Sequence, residues 1–532
     1  MISREQTAGG HATAEPDVHI TRFAITASDV TLATRYFTDA DAGPEHPRPT
    51  LILRTPYGAH HHEAEARGWV RRGFNVAIQD VRGRGDSTGD FEPYVHEEDD
   101  GAATADFLLG LPECDGRLLA YGGSYAAHCA LALCRARKLA GLIALVPSFD
   151  RTSSTTEFGG VVPLLSPAWW WFDNVPGDGA GPRGLAPQDF ANRFGRDLVD
   201  GSPPVVWPEA SEPAHSWQLP HRAAEIPILI VSGFDDPFAA EAVRTARRWP
   251  GSVQCIAGRW GHTLRRRDGS RVRHIGRTIG EWTAAVLADT IPPRNTIIEA
   301  APGEWRRPAT QIVSLALTGR VRWRCDAATP FPSWQCSIPS ISGEAARGRR
   351  DDQGTIDVPG DGSREIAGIV RIRALSHARE IAPASLTQDF ADNHCTAADQ
   401  ATPENPTRID TFAHLLVQKG GTMRWLATAG ARHAPGAVTI EFPMVSERLE
   451  EGSRLVVQFT GHDFPVHDLC SETFGAAGAS GDPNASGGSR SASHAPMADR
   501  FPVSSRVVSD IVVDIQTDWW SRNDESRQGD ER

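Results

Sequence analysis

The sequence predicts an α/β domain built on a parallel sheet, interrupted by an insertion and followed by an all-β sandwich. Three observations carry this expectation. Between residues 50 and 146, short apolar runs alternate with longer amphipathic ones, the pattern of strand–helix–strand units. The alternation stops near residue 149 and resumes near residue 225. Beyond residue 295 the periodicity drops to two, with turn-forming residues between the runs. At 532 residues the chain exceeds one ordinary core, so such a division is expected.

Taken in order, residues 50–53, 75–79, 117–120 and 142–146 read as buried strands. Helical patterns over 63–72, 99–109 and 125–138 lie between them. Residues 149–224 are rich in Pro, Gly and Trp and show no strand periodicity, so they read as a cap inserted over the sheet. Residues 226–231 and 253–257 then resume the strands, separated by a helix at 241–248 and closed by another at 275–287. The core is thus expected in two pieces, 1–148 and 225–290. Ile291-Pro292-Pro293-Arg294 reads as a boundary. The runs at 311–317, 411–418, 438–442, 454–459 and 510–515 predict a jelly-roll-like sandwich over 295–516. Within it, 471–500 is rich in Ser, Gly and Ala and is expected to be a mobile loop. Residues 517–532 read as a loose charged tail.

Composition narrows the function. The formal charge is −13, which disfavours a nucleic-acid partner, since phosphate binding draws on clustered Lys and Arg. The short basic run at Arg265-Arg266-Arg267 reads as a solvated loop. No apolar segment approaches the ~20 residues that span a bilayer, and no signal-peptide pattern opens the chain. The eight cysteines include no C-x-x-C pair, which argues against a metal or disulfide framework and fits a reducing cytoplasm. Monomer and homodimer both stay open.

The chemistry centres on Tyr121-Gly122-Gly123-Ser124-Tyr125-Ala126-Ala127. An apolar run leads into a tight glycine turn with a serine at its apex and an alanine-rich helical stretch behind it. This is the layout of a nucleophile elbow, which works only if the residues two before and two after the serine are small. Here they are Gly122 and Ala126. A serine hydroxyl needs a base within reach, and the base needs an orienting carboxylate. α/β-Hydrolases supply them in the order serine, acid, histidine. After the strand at 226–231 comes Ser232-Gly233-Phe234-Asp235-Asp236-Pro237-Phe238, and after that at 253–257 comes Gly258-Arg259-Trp260-Gly261-His262. Both groups lie past the carboxyl ends of strands, where open α/β sheets bind ligands. Asp236 is the expected acid, with Asp235 as the alternative, and His262 is the expected base.

These residues resemble the X-Pro dipeptidyl-peptidase/cocaine esterase family of serine hydrolases. Arg54-Thr55-Pro56-Tyr57-Gly58 looks like its Arg-x-Pro-Tyr loop. The run from Gln79 to Phe91 is similar to its most diagnostic segment, and Gly122 to Tyr125 matches its Gly-x-Ser-Tyr elbow. Gly233 to Phe238 and Arg259 to His262 resemble its acid and histidine segments. The resemblance is good over residues 20–290 and weaker through the sandwich, where 435–438 and 464–468 look family-like. It implies an α/β-hydrolase core, a helical cap and a C-terminal jelly roll. It also implies an oxyanion hole from the Tyr57 hydroxyl and the Tyr125 amide, although Tyr57 as a packed core residue stays open. The chain departs from the family pattern at Ala127, where a second glycine is usual, and at Phe234-Asp235, where Trp-Tyr is usual.

Other features are less specific. Trp169 and Trp170 could line an acyl or aryl pocket or simply pack the cap. Phe234 would form a wall of the site. His128, one helical turn after Ser124, could pack against the sheet or touch substrate. Glu157, Asp173 and Asp178 are cap carboxylates that could hold a substrate ammonium. His60-His61-His62 reads as a solvated loop, because adjacent histidines cannot all face one ion on a regular element. The expected activity is hydrolysis of a small-molecule ester or amide without metal or organic cofactor. Ester cleavage is favoured, because the X-Pro peptidases of the family carry an extra N-terminal domain for which this chain has no room. Acyl transfer or cyclisation through the same acyl-enzyme, and a catalytically silent binding protein, are the rival readings.

Overall fold

A computed structural model describes residues 18–149, 160–161, 170, 223–266, 268–272, 274–290, 293–301, 303–325, 354–358, 364–380, 409–442, 444–461 and 504–516. Most of the expected cap, the loop at 471–500 and the tail lie outside these residues. The chain divides into two compact units, Met1–Ala144 with Leu219–Ile228, and Leu145–Gln218 with Leu229–Arg532.

The first unit opens with a hairpin of β1 (Val18–Ala27) and β2 (Val30–Asp39), which periodicity does not announce. β1 is exposed over most of its length, and its polar residues His19, Thr21, Arg22 and Thr26 blur any alternation. Then follow β3 (Arg48–Thr55), α1 (Glu63–Val70), β4 (Asn75–Asp80), α2 (Glu97–Leu109), β5 (Cys114–Gly123), α3 (Tyr125–Ala136) and β6 (Gly141–Leu145). Their strand order is β1-β2-β4-β3-β5-β6. β3 runs parallel to both β4 and β5, whereas β2 joins β4 antiparallel. β4 and β6 are buried at every position, which explains their unbroken apolar runs. α1 packs on β2 and β4, while α2 and α3 pack on each other and on β1, β3 and β5.

The second unit carries β7 (Ile228–Gly233), α4 (Ala239–Arg248), β8 (Val253–Gly258), α5 (Ile275–Leu287), β9 (Asn295–Ala301) and β10 (Glu304–Arg306), with its strands in the order β7-β8-β9-β10. β9 lies beyond the expected boundary at residues 291–294, yet it runs parallel to β8. It therefore extends the strands of the α/β part rather than starting the sandwich.

The sandwich proper uses β11 (Ile312–Ala316), β12 (Val321–Cys325), β13 (Gly354–Val358), β14 (Arg364–Gly368), β15 (Val370–Glu380), β16 (Ile409–Lys419), β17 (Thr422–His433), β18 (Gly436–Glu441), β19 (Val445–Leu449), β20 (Ser453–Thr460) and β21 (Ser504–Gln516). β11-β21-β15-β18, with β12 also on β21, form one antiparallel sheet, and β13-β20-β16-β17 form the other. Inward residues such as Ile372, Ile440 and Val513 from the first meet Leu415, Val457 and Phe459 from the second in one apolar core. β14 and β19 pair separately. Through Ala367 and neighbouring Met444 this pair joins a cluster with Val243, Ala257 and Ile298.

Candidate active site

In the first unit, Ser124 links β5 to α3 at φ 58° and ψ −127°. Positive φ is strained for a residue with a side chain. Here it turns the chain sharply from strand to helix. The turn is so tight that a Cβ on Gly122 would lie 2.1 Å from the Ala126 carbonyl oxygen. That contact is the physical content of the small-residue rule read from the sequence.

Tyr57 stands on the loop after β3, and its hydroxyl lies 3.2 Å from Ser124 Oγ. The loop is held from below by Asp80, which is 3 % exposed. Its Oδ1 accepts the Ala59 N–H at 2.6 Å and its Oδ2 the Asp86 N–H at 3.2 Å. Gly85, at φ 54°, crosses directly over this carboxylate. A Cβ there would sit 2.3 Å from Asp80 Oδ2, so only glycine fits. Arg84 Nε donates to the Pro56 carbonyl at 3.0 Å. The run from Gln79 to Phe91 is thus a brace for the Tyr57 loop.

The Tyr125 side chain points into the interior. Its hydroxyl donates to the Glu97 carboxylate and accepts the Tyr94 N–H at 2.8 Å. Burial pushes the Glu97 carboxyl above its usual range. Burial, with Glu97 beside it, also raises the Tyr125 phenol. His128 is buried, with its ring centroid 4.6 Å from that of Tyr94. Its ring packs among aromatic neighbours. His60, His61 and His62 lie in a short 3-10 turn, and His62 Nδ1 is 3.1 Å from Glu65 Oε2.

In the second unit, Asp236 and His262 lie past the ends of β7 and β8. Asp236 Oδ1 is 3.1 Å from His262 Nδ1 and accepts the Phe238 N–H at 3.0 Å. The carboxylate side chain is fully buried, while the imidazole is 24 % exposed. A buried carboxylate on Nδ1 selects the tautomer protonated there and leaves Nε2 as a proton acceptor. The two strand ends are tied together. Phe234 N–H donates to the Gly258 carbonyl at 2.8 Å, and Asp235 N–H to that of Trp260 at 3.2 Å. Trp260 is fully buried. A Cβ on Gly233 would lie 1.9 Å from its carbonyl oxygen, and one on Gly258 1.9 Å from its ring.

The loop bearing His262 is clamped further along. Glu299, itself buried, takes both terminal nitrogens of Arg266 at 2.7 and 2.5 Å and the Gly303 N–H at 2.9 Å. Arg259 reaches Glu447 on β19 at 3.3 Å. Phe234, expected as a wall of the site, is partly buried and packs against the cluster of Val243, Ala257, Ile298 and Met444. Trp170 is half-buried, and Trp169 lies outside the described residues.

Residues 30–264 match the family model of X-Pro dipeptidyl-peptidase (S15 family). Over this segment, which is under half of the chain, the sequence is similar to that family. The S15 segment contains Tyr57, Ser124, Asp236 and His262. Over 96 residues the chain is 38 % identical to cocaine esterase of Rhodococcus sp. (strain MB1 Bresler), a match spanning 17 % of this chain and 16 % of that protein. Solved structures resemble the whole length. An aminopeptidase from the marine sediment archaeon Thaumarchaeota archaeon superposes with a TM-score of 0.66 at 17 % identity, covering 97 % of this chain and 98 % of the other. An α-amino acid ester hydrolase gives 0.64 at 16 %, covering 96 % and 98 %. A CocE/NonD family hydrolase from Staphylococcus aureus gives 0.60 at 11 %, covering 96 % and 99 %. At such identities the likeness is one of fold, the α/β-hydrolase core with a C-terminal β-sandwich.

The S15 segment also holds residues that pattern reading passes over. Glu97, Glu98, Asp99 and Asp100 look like four charges at the start of α2, where carboxylates complement the helix dipole. Two of them, Glu97 and Asp100, are 4 % and 1 % exposed. Asp100 pairs with Arg82 at 2.7 Å, and Arg54 NH1 donates to the Glu97 carbonyl at 2.5 Å. The signal for these roles lies in Arg54, a charged residue at the end of the apolar run Leu51-Ile52-Leu53.

Proposed function

We propose that this chain is a serine hydrolase that cleaves a small-molecule carboxylic ester, or an amide, through an acyl-enzyme on Ser124. The observation that carries the reading is a serine held at φ 58° in a strand–helix elbow with the Tyr57 hydroxyl 3.2 Å from its Oγ. His262 is the base and Asp236 its orienting acid, in the chain order that the fold requires. The 3.1 Å Asp236–His262 contact supports that pairing.

In the first half-reaction His262 Nε2 takes the Ser124 proton as Oγ attacks the carbonyl carbon. The resulting oxyanion receives hydrogen bonds from the Tyr57 hydroxyl and the Tyr125 amide, donors aimed at charge that develops only in the transition state. Asp236 stabilises the imidazolium. The imidazolium then protonates the leaving alcohol or amine as the tetrahedral intermediate collapses. In the second half-reaction His262 deprotonates water, which attacks the acyl carbon, and the acid leaves as Ser124 recovers its proton. The cocaine esterase match favours esters over peptides as substrates.

A fluorophosphonate probe tests the reading. The native protein should label stoichiometrically and Ser124→Ala should not label at all. Equal labelling of both, or none of a folded native protein, excludes Ser124 as the nucleophile. A panel of esters and amides, blanked with Ser124→Ala, then identifies the acyl and leaving groups.

A further inference from the structure

We infer that the Tyr125 hydroxyl, Glu97 and Arg84 are positioning residues that set the spacing of the two oxyanion donors. The inference rests on the reading of Tyr57 and the Tyr125 amide given above. The donors come from separate elements, the loop after β3 and the start of α3, so their separation has to be fixed by something besides the chain between them. The structure supplies a continuous path. Arg84 Nε holds the Pro56 carbonyl, one residue before Tyr57, at 3.0 Å. The Arg84 guanidinium lies over the Phe91 ring, 5.4 Å from its centroid. Phe91 meets the Tyr125 ring edge-on at 5.9 Å.

The Tyr125 hydroxyl is then held from both sides, as donor to Glu97 and as acceptor of the Tyr94 N–H at 2.8 Å. Tyr94 is held at φ 69°, and its ring packs on Tyr125 at 4.8 Å. Glu97 is anchored in turn through its carbonyl, which accepts from Arg54 NH1 at 2.5 Å. Arg54 Nε donates to Gln79 at 2.8 Å. Gln79 neighbours Asp80, the carboxylate that braces the Tyr57 loop. The path therefore begins at Pro56, next to Tyr57, runs through the Tyr125 side chain and returns through Gln79 to Asp80 and the same loop.

None of these side chains touches the reacting carbonyl in this reading, so each acts through a donor. Loss of the path would leave substrate binding intact and weaken transition-state stabilisation, because a misplacement of about 1 Å can cost up to ~10²-fold in rate. Tyr125→Phe removes the hydroxyl and keeps the ring and the amide. Arg84→Met keeps the stem over Phe91 and removes the bond to Pro56, and as Arg84 is half-buried this variant serves should Tyr125→Phe not fold.

The assay is hydrolysis of p-nitrophenyl butyrate with phenylboronic acid as an inhibitor that mimics the tetrahedral adduct. Each variant should lose about tenfold in kcat with KM within twofold, and boronate binding should weaken in proportion to kcat. Combined with Tyr57→Phe, the losses should be less than multiplicative, since both act on one hole. Folded variants with native kcat, or losses that multiply in full with Tyr57→Phe, would overturn the inference. Fluorophosphonate labelling of Ser124 in the native protein separates this failure from failure of the hydrolase reading, because it reports an activated serine whether or not the path sets the spacing of the donors.

Discussion

At Gly122 one added methyl group is enough to disturb the turn that carries Ser124, the proposed nucleophile. Its Cβ would meet the Ala126 carbonyl oxygen at 2.1 Å and the carbonyl carbon at 2.2 Å. These are backbone atoms of the helix that follows Ser124, so no side-chain rotation relieves the clash. Gly122→Ala should lose fluorophosphonate labelling while costing about 1–3 kcal/mol in stability, the usual range for overpacking. Chemical denaturation and probe labelling on the same sample read the two effects. A labelled, fully active variant would show that the elbow can widen. Tyr57→Phe makes a gentler test of the same site. With Tyr57 as the proposed oxyanion donor, it should lower kcat by ~10²-fold, the cost of one lost donor, and leave labelling detectable. These residues are legible in sequence because the chemistry dictates their types: small residues around a turn, and a serine, acid and base in fixed order. Glu97 is not legible in that way, since a buried carboxylate and a helix-start carboxylate look alike as letters.

Among the elements, most of the strands and helices that periodicity marks in the α/β part recur with ends displaced by a few residues. Continuous apolar runs such as β4 and β6 are buried throughout, so the hydrophobic signal and the structure coincide there. β1 carries no sequence pattern because an exposed strand needs no apolar face, whereas β2 alternates buried and half-buried positions over Val30–Tyr36, a signal that Thr31, Thr34 and Arg35 dilute. In sequence β9 reads as part of the sandwich, because Pro292-Pro293 signals a turn without saying which sheet the next strand joins. The ends of β7 and β8 are where element packing and chemistry meet. Trp260 lies between Gly233 and Gly258 and leaves no room for a Cβ at either. Trp260→Ala would empty that space, with an expected loss of about 3–5 kcal/mol. Because Asp236 and His262 follow the same two strand ends, activity should fall by more than unfolding alone explains. Comparing the specific activity of the remaining folded fraction with the denaturation midpoint checks this. Unchanged specific activity would mean that the strand ends hold their positions without the indole.

For the molecule as a whole, pH acts through buried carboxylates more than through the net charge of −13. Burial pushes the Glu299 carboxyl up, but the Arg266 guanidinium and the Gly303 and Arg259 amides outweigh it and hold it below the usual range. Bonds from Arg373 lower Asp514 in the sandwich likewise. A carboxyl depressed in the folded state contributes stability that is fully present above its unfolded value, about 4. That contribution is lost as pH falls through the lower folded value. Both groups therefore support the native state near neutrality and release it in acid. Glu97 has the opposite sign. Desolvation raises its carboxyl, so its contribution is present below the unfolded value and is lost as pH rises through the folded one. The two kinds of site predict different mutant profiles. Glu299→Gln should lower the melting temperature at neutral pH and flatten its decline in acid, because the variant has less to lose there. Asp514→Asn should do the same more weakly, since Ser314 still donates to the position at 2.6 Å. Glu97→Gln keeps an acceptor for Tyr125 and should instead gain on the native protein as pH rises. Melting curves taken from about pH 3 to pH 8 separate these outcomes. A Glu299→Gln curve parallel to the native one across that range would mean that the clamp on the His262 loop contributes no proton-linked stability.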